Sequence, residues 1–95
     1  MKIVINVCYG GFGLSTKGIT LYKQLCGIDS NTKIHDFDID RDDVALVKIV
    51  ETLGEESWDK SFAELKVVDI PDGIDWEIKD YDGWEHIAEV HRTWG

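Results

Sequence analysis

Ile74-Asp-Trp-Glu-Ile-Lys-Asp-Tyr81-Asp82-Gly83-Trp84-Glu-His-Ile-Ala-Glu-Val-His91 is the stretch on which the fold turns. Apolar and polar residues alternate through its first half, the pattern of a half-buried strand. Asp82-Gly83 is a strong two-residue hairpin signal, because the turn that matches strand twist needs positive φ at both positions. The second half is ambiguous, since Trp84, Ile87, Ala88 and His91 also share one helical face. The turn tips residues 84–91 to strand, with Tyr81 and Trp84 flanking it and Ile78 set opposite Ile87.

Upstream, Pro71-Asp72-Gly73 marks a turn, and Phe62 to Ile70 reads as the strand before it. Leu46, Ile49, Val50 and Leu53 fall at i, i+3, i+4 and i+7, so a helix runs here and Gly54 closes it. Asp42 is placed as its cap and Asp43 in its first turn. Residues 55–61, with Trp58, connect this helix to the strand. At the other end of the chain, residues 2–8 form a β-branched strand, expected to be central. Ser15 caps a following helix, with Leu14 and Ile19 as its hydrophobic staple, and Gly27 ends it. Ile19, Tyr22 and Cys26, flanked by Leu21 and Leu25, supply its apolar face. Gly18 costs that helix about 1 kcal/mol relative to alanine and weakens its first turn.

Residues 28–41 are the least regular. Ile34, Phe37 and Ile39 alternate with aspartates as a short edge segment would. The run Asp36-Phe-Asp-Ile-Asp-Arg-Asp-Asp43 fails as a calcium loop, because Arg41 stands where the loop needs glycine and Val47 where it needs a bidentate glutamate. The element order is β-α-α-β-β-β. Residues 1–95 form one compact domain of the α+β class, a two-layer fold with a mainly antiparallel sheet and two helices on one face.

Nineteen acidic residues against ten basic ones leave a net charge of −9. That field repels nucleic acid, and the basic residues are scattered rather than gathered into a patch. It leaves open a basic protein partner, or a small anion whose pocket brings its own donors. No apolar run approaches the roughly 20 residues needed to span a bilayer. Met1-Lys-Ile-Val-Ile-Asn6 reads as the start of a strand rather than a secretory leader. Cys8 and Cys26 read as a reduced pair, and the cytoplasm is the expected location.

Chemistry is sought first in Val4-Ile-Asn-Val-Cys-Tyr9-Gly10-Gly11-Phe12-Gly13-Leu-Ser15-Thr16. A strand runs into three glycines in four positions and then into a capped helix. Such a turn can aim main-chain N–H groups outward, and the helix start adds the positive end of its dipole. The spacing is neither that of a dinucleotide fold nor that of a P-loop, since no Gly-Lys-Ser/Thr follows. A tight structural turn is the plain alternative. In the tail, His91, Arg92 and Trp94 put an imidazole, a guanidinium and an indole within four residues, enough to pin a phosphate and stack a ring. The alternative there is a core tryptophan beside a solvated arginine. Cys8, with His86 or His91 as base, would be needed for thiol chemistry, yet a cysteine in an apolar strand is more often an inert small hydrophobe. The three histidines have no partners at metal-ligand spacing, and no metal or cofactor is expected.

Lys2-Ile-Val-Ile-Asn-Val-Cys-Tyr-Gly-Gly-Phe-Gly-Leu-Ser15, together with residues 63–83 and His91-Arg-Thr-Trp-Gly95, resembles a group of small phage and prophage proteins. The likeness covers about two thirds of the chain and leaves 28–43 aside. Members often carry an acidic residue where Gly18 stands here. The resemblance implies a phage protein in a bacterial host cytoplasm. Small phage proteins of this size include immune inhibitors, some of which soak up nucleotide signals of the cyclic-nucleotide or ADP-ribose type. By that analogy the expectation is a non-enzymatic anti-defence protein that sequesters a small anionic nucleotide-like ligand. Gly10–Ser15 would hold the phosphate, Arg92 and Lys17 would offset its charge, and Tyr9, Phe12 or Trp94 would stack on the base. A homo-oligomer would help close such a pocket. The rival is an acidic inhibitor that blocks a host protein, and a third candidate is a small nucleotide hydrolase.

Overall fold

The computed structural model describes residues 1–90, the side chain of Phe37 apart; His91, Arg92 and Trp94 lie outside the described residues. The elements are β1 (Lys2–Asn6), α1 (Thr16–Cys26), α2 (Val44–Leu53), β2 (Leu65–Asp69), β3 (Trp76–Tyr81) and β4 (Trp84–Glu89), with short 3-10 turns at Asp36–Asp38 and Gly54–Ser57. This is the α+β order read from the sequence, but the strands divide into two antiparallel ribbons, β1–β2 and β3–β4. Along β1 the exposed edge is closed by side chains and a loop instead of by another strand. Val4 N–H donates to the Arg41 carbonyl at 2.8 Å, and Asn6 N–H to a carboxylate oxygen of Glu85 at 2.8 Å. A strand edge blunted in this way offers no template for further pairing.

β1 is buried on both faces. Val4 pairs with Val67 and Asn6 with Leu65 on the side that meets the helices, while Ile3 and Ile5, on the other side, are equally enclosed. The core joins Val4 and Leu65 to Leu14, Tyr22, Ile39, Leu46, Val47, Ile49 and Val50. α2 lies against β1 and β2, and α1 packs on α2. Leu46, Ile49 and Val50 are the buried stripe expected of α2. On α1 the inward face is narrower than expected: Tyr22 is buried, Ile19 and Leu21 pack at the margin of the core, and Leu25 and Cys26 are exposed.

Helix ends follow local chemistry. The Ser15 hydroxyl accepts from Gly18 N–H at 3.0 Å, and Gly27 closes α1 in the left-handed conformation. The cap of α2 is Asp43 rather than Asp42, its carboxylate accepting from Ala45 N–H at 2.8 Å. Gly18 is not a flaw in α1. A Cβ there would collide with the Ser57 carbonyl, so glycine is what lets the helix approach that turn. β2 starts at Leu65 instead of Phe62, because Phe62 and Ala63 N–H both donate to the Asp59 carbonyl and hold 59–63 in a turn. Within the segment 34–39 a 3-10 turn at Asp36–Asp38 takes the place of the expected edge strand.

Burial pushes the Tyr22 phenol well above its ordinary value of 10.0, and its 2.8 Å hydrogen bond to Asp43 acts in the same direction. A phenol whose ionisation is delayed by folding contributes stability that is complete below pH 10 and is lost as pH rises beyond it. The expected result is a stability that declines above pH 10 in denaturant titrations. Tyr22→Phe should remove part of that slope; an unchanged slope would mean the hydroxyl is not held by the fold.

Candidate functional site

The hairpin β3–β4 has the register read from its sequence, with Ile78 opposite Ile87 and Tyr81 opposite Trp84. Asp82 at φ 53° and Gly83 at φ 88° make the turn. That turn is not free in solvent. It docks on the glycine loop so closely that a Cβ at Gly83 would lie 3.0 Å from Gly10 N and nearer still to Gly11 N. Beneath the loop sits Phe62: its carbonyl presses on Gly10 and its ring on Gly13. The glycines are thus used for close packing of three chain segments, with no side chain between them.

The polar groups around this junction are turned inward. Asn6, fully buried, donates from Nδ2 to the Cys8 and Gly83 carbonyls at 2.7 Å each, and its Oδ1 accepts from Glu64 N–H at 2.9 Å. One side chain therefore ties β1, the glycine loop, the hairpin turn and the entry to β2. Beside it, Arg41 Nη2 meets Glu85 Oε2 at 2.8 Å, and Nη1 meets the other carboxylate oxygen. The Glu85 side chain is 8 % exposed and that of Arg41 19 %, so this bidentate pair is almost closed to solvent. The Arg41 guanidinium lies 3.9 Å above the Phe12 ring centre. Among the described residues no buried side-chain polar atom lacks a partner.

The expected ligand loop is partly engaged by the protein itself. Gly10 N–H donates to the Cys8 carbonyl, Leu14 N–H to Asp36 Oδ2 at 2.9 Å, and Ser15 N–H to the Ser57 carbonyl at 3.0 Å. Gly11, Phe12 and Gly13 N–H have no hydrogen-bond partner among the described residues. Phe12 offers one ring face to Arg41 instead of to a base, and Lys17 is paired with Glu56 at 2.8 Å. A shallow cavity of about 440 Å³ opens at the start of α1, lined by Ser15, Thr16, Lys17, Glu56, Trp58 and Lys60; Tyr9, Gly10, Gly11, Phe12 and Gly13 are not part of it. The Lys17 ammonium beside Glu56 holds that carboxyl below its usual range. Of the proposed residues, then, Tyr9 to Gly13 gather at the hairpin junction, Ser15 and Lys17 at the helix start, and Arg92 and Trp94 lie outside the described residues.

What remains open at the junction is aromatic. Tyr9 is 64 % exposed, Tyr81 74 % and Trp84 43 %. Tyr9 and Trp84 meet edge to face with ring centres 4.9 Å apart, and Tyr81 stands directly across the ladder from Trp84. Of these only Tyr9 belongs to the ligand loop expected from the sequence. In the sequence Tyr81 and Trp84 are hairpin flanks, and no periodicity or motif joins Asn6, Arg41 and Glu85 into a set. An asparagine inside an apolar strand, and a lone arginine in an acidic run, were the available signals. Among the described residues no three His, Cys, Asp or Glu side chains are grouped to hold a metal, and no helix is long and apolar enough to cross a membrane. No family model, curated protein or solved structure matches this chain.

Proposed function

We propose that this chain acts by binding, as a phage-encoded anti-defence protein, and that it does so by occupying a surface of a host protein. The setting is the one implied by the resemblance to phage and prophage proteins. The observation that supports this form of the role is the Tyr9–Trp84–Tyr81 patch, three large aromatic side chains left in solvent on a frame held by buried hydrogen bonds. Tyrosine and tryptophan concentrate binding energy at protein interfaces because they bury much area while fixing few torsions. Here the frame beneath them is tied by the hydrogen bonds of Asn6 and Glu85, which lowers the ordering needed on contact. Capture of a nucleotide-like signal is a second reading. It is favoured by the amides of Gly11, Phe12 and Gly13, which have no hydrogen-bond partner among the described residues.

Trp84→Ala tests the first reading. Its expected effect is a loss of about 10-fold or more in affinity for the host protein retained by the wild-type chain, with unfolding little changed, since Trp84 is half exposed. The measurement is affinity capture from bacterial lysate followed by calorimetry with the isolated partner. Stoichiometric binding of a nucleotide from a panel of cyclic dinucleotides and ADP-ribose derivatives, with no protein retained through Trp84, would overturn it in favour of the second.

A further inference from the structure

No strand lies along the outer edge of the hairpin among the described residues. Val90 N–H donates to the Asp75 carbonyl at 2.9 Å. Counted from that bond, Glu77–Ala88, Lys79–His86 and Tyr81–Trp84 are the pairs that exchange main-chain bonds across the ladder. Trp76, Ile78 and Asp80 therefore turn their N–H and C=O groups away from β4, and these groups have no partner among the described residues. β4 is the strand that lies beside β1, so β3 forms the outer edge. Three donors and three acceptors at strand spacing fit one kind of occupant, an extended chain.

The side chains along β3 select which chain that is. We infer that the occupant is a second copy of this protein, its β3 running antiparallel to the first about a two-fold axis at Ile78. In that register Ile78 faces its own copy and Trp76 faces the partner's Asp80, so every outward main-chain group of both strands is paired. Glu77 then comes opposite the partner's Lys79, and Lys79 opposite the partner's Glu77, at the closely spaced positions of the ladder. Within one chain Lys79 and Glu77 already stand 3.6 Å apart, both exposed on the outer face of the hairpin. Four charges of alternating sign thus close a ring across the axis. Moving the axis by one residue sets Glu77 against Glu77 or Lys79 against Lys79, so charge selects the central register. The charge of −9 on each copy opposes approach at long range, and salt at about 150 mM screens it beyond about 8 Å while sparing contacts as close as the ring. The pairing goes beyond the binding role proposed above. Tyr81 and Trp84 share the outer face with Glu77 and Lys79, so two joined chains present two aromatic patches on one side of a continuous four-stranded ribbon.

Sedimentation equilibrium of the full chain, over about a 100-fold range of concentration in about 150 mM salt, is the test. The wild type should pass from the mass of one chain to that of two. Hydrogen exchange at the Trp76, Ile78 and Asp80 amides should slow in step, while Lys79 N–H, bonded within the hairpin, changes little. Glu77→Lys and Lys79→Glu each place like charges opposite one another and should pair about 10-fold more weakly or worse. Both side chains are exposed, so folding is spared. Mixed in equal amounts, the two variants should pair about as tightly as the wild type, because the lysines of one then face the glutamates of the other. A single-chain mass throughout would overturn the inference. So would a dimer indifferent to either charge reversal, or a mixture that pairs no better than its components. Protection of the three outward amides only on addition of a different protein would overturn it too, since the edge would then serve a foreign strand. Trp84→Ala leaves this edge untouched and should pair as the wild type does. Loss of partner binding in that variant and loss of pairing in the charge variants therefore report on the two proposals separately.

Discussion

Glu85→Ala is expected to destabilise the fold by about 3–5 kcal/mol, the usual cost of leaving one member of a buried ion pair without its partner. Two effects add. The Arg41 guanidinium, 19 % exposed, keeps its charge but loses both carboxylate oxygens. Asn6 N–H, at the closed edge of β1, loses its acceptor as well. At about 4–8 °C per kcal/mol for a domain of this size, the Tm falls by more than about 12 °C. Urea unfolding followed by tryptophan fluorescence and circular dichroism checks this. A cost under about 1 kcal/mol would show that water replaces the carboxylate freely and that the pair is no closure at all. The companion variant Arg41→Met/Glu85→Leu should recover part of the loss, because removing both charges removes the desolvation cost along with the attraction. Recovery would be partial, since Asn6 N–H stays unpaired.

Asn6→Leu is expected to cost about 3 kcal/mol although it keeps the branched side-chain skeleton. Three main-chain groups lose their partner at once: the Cys8 and Gly83 carbonyls and Glu64 N–H. Each buried polar group left unpaired costs about 1–3 kcal/mol, less where water can reach it. The variant also carries a local signature. Glu64 N–H should exchange with solvent much faster than in the wild type, and the hairpin turn should lose its seat on the glycine loop. Native-state hydrogen exchange reads the first effect. A variant that loses global stability with Glu64 protection intact relative to its neighbours would mean that Asn6 acts through packing alone.

Both variants strike the same object, the joint between the two ribbons. A two-stranded hairpin is at best marginal in water by itself. β3–β4 is held because Glu85 reaches Arg41, Gly83 reaches Asn6, and the turn nests on Gly10 and Gly11. That joint also positions the exposed aromatics, so damage to it should weaken binding through misplacement. Trp84→Ala, by contrast, should weaken binding and leave unfolding nearly unchanged.

Local chemistry made much of this molecule legible in its sequence. Asp82-Gly83 specified the hairpin and its register, because a two-residue turn, which these residues close with positive φ at both positions, sets Ile78 opposite Ile87. Ser15, Gly27 and Gly54 bounded the helices through groups within a few residues of themselves, and the 3.6-residue period marked the buried face of α2. What the glycine loop does was decided only by tertiary structure. A run of glycines is equally suited to cradling an anion and to admitting another backbone, and the choice depends on Phe62 and Gly83, some 50 and 70 residues away. The Arg41–Glu85 pair spans 44 positions and the contacts of Asn6 as many as 79. Periodicity and capping rules are blind to such separations, because they describe neighbours along the chain, whereas a buried charge finds its partner only after the chain has closed upon itself.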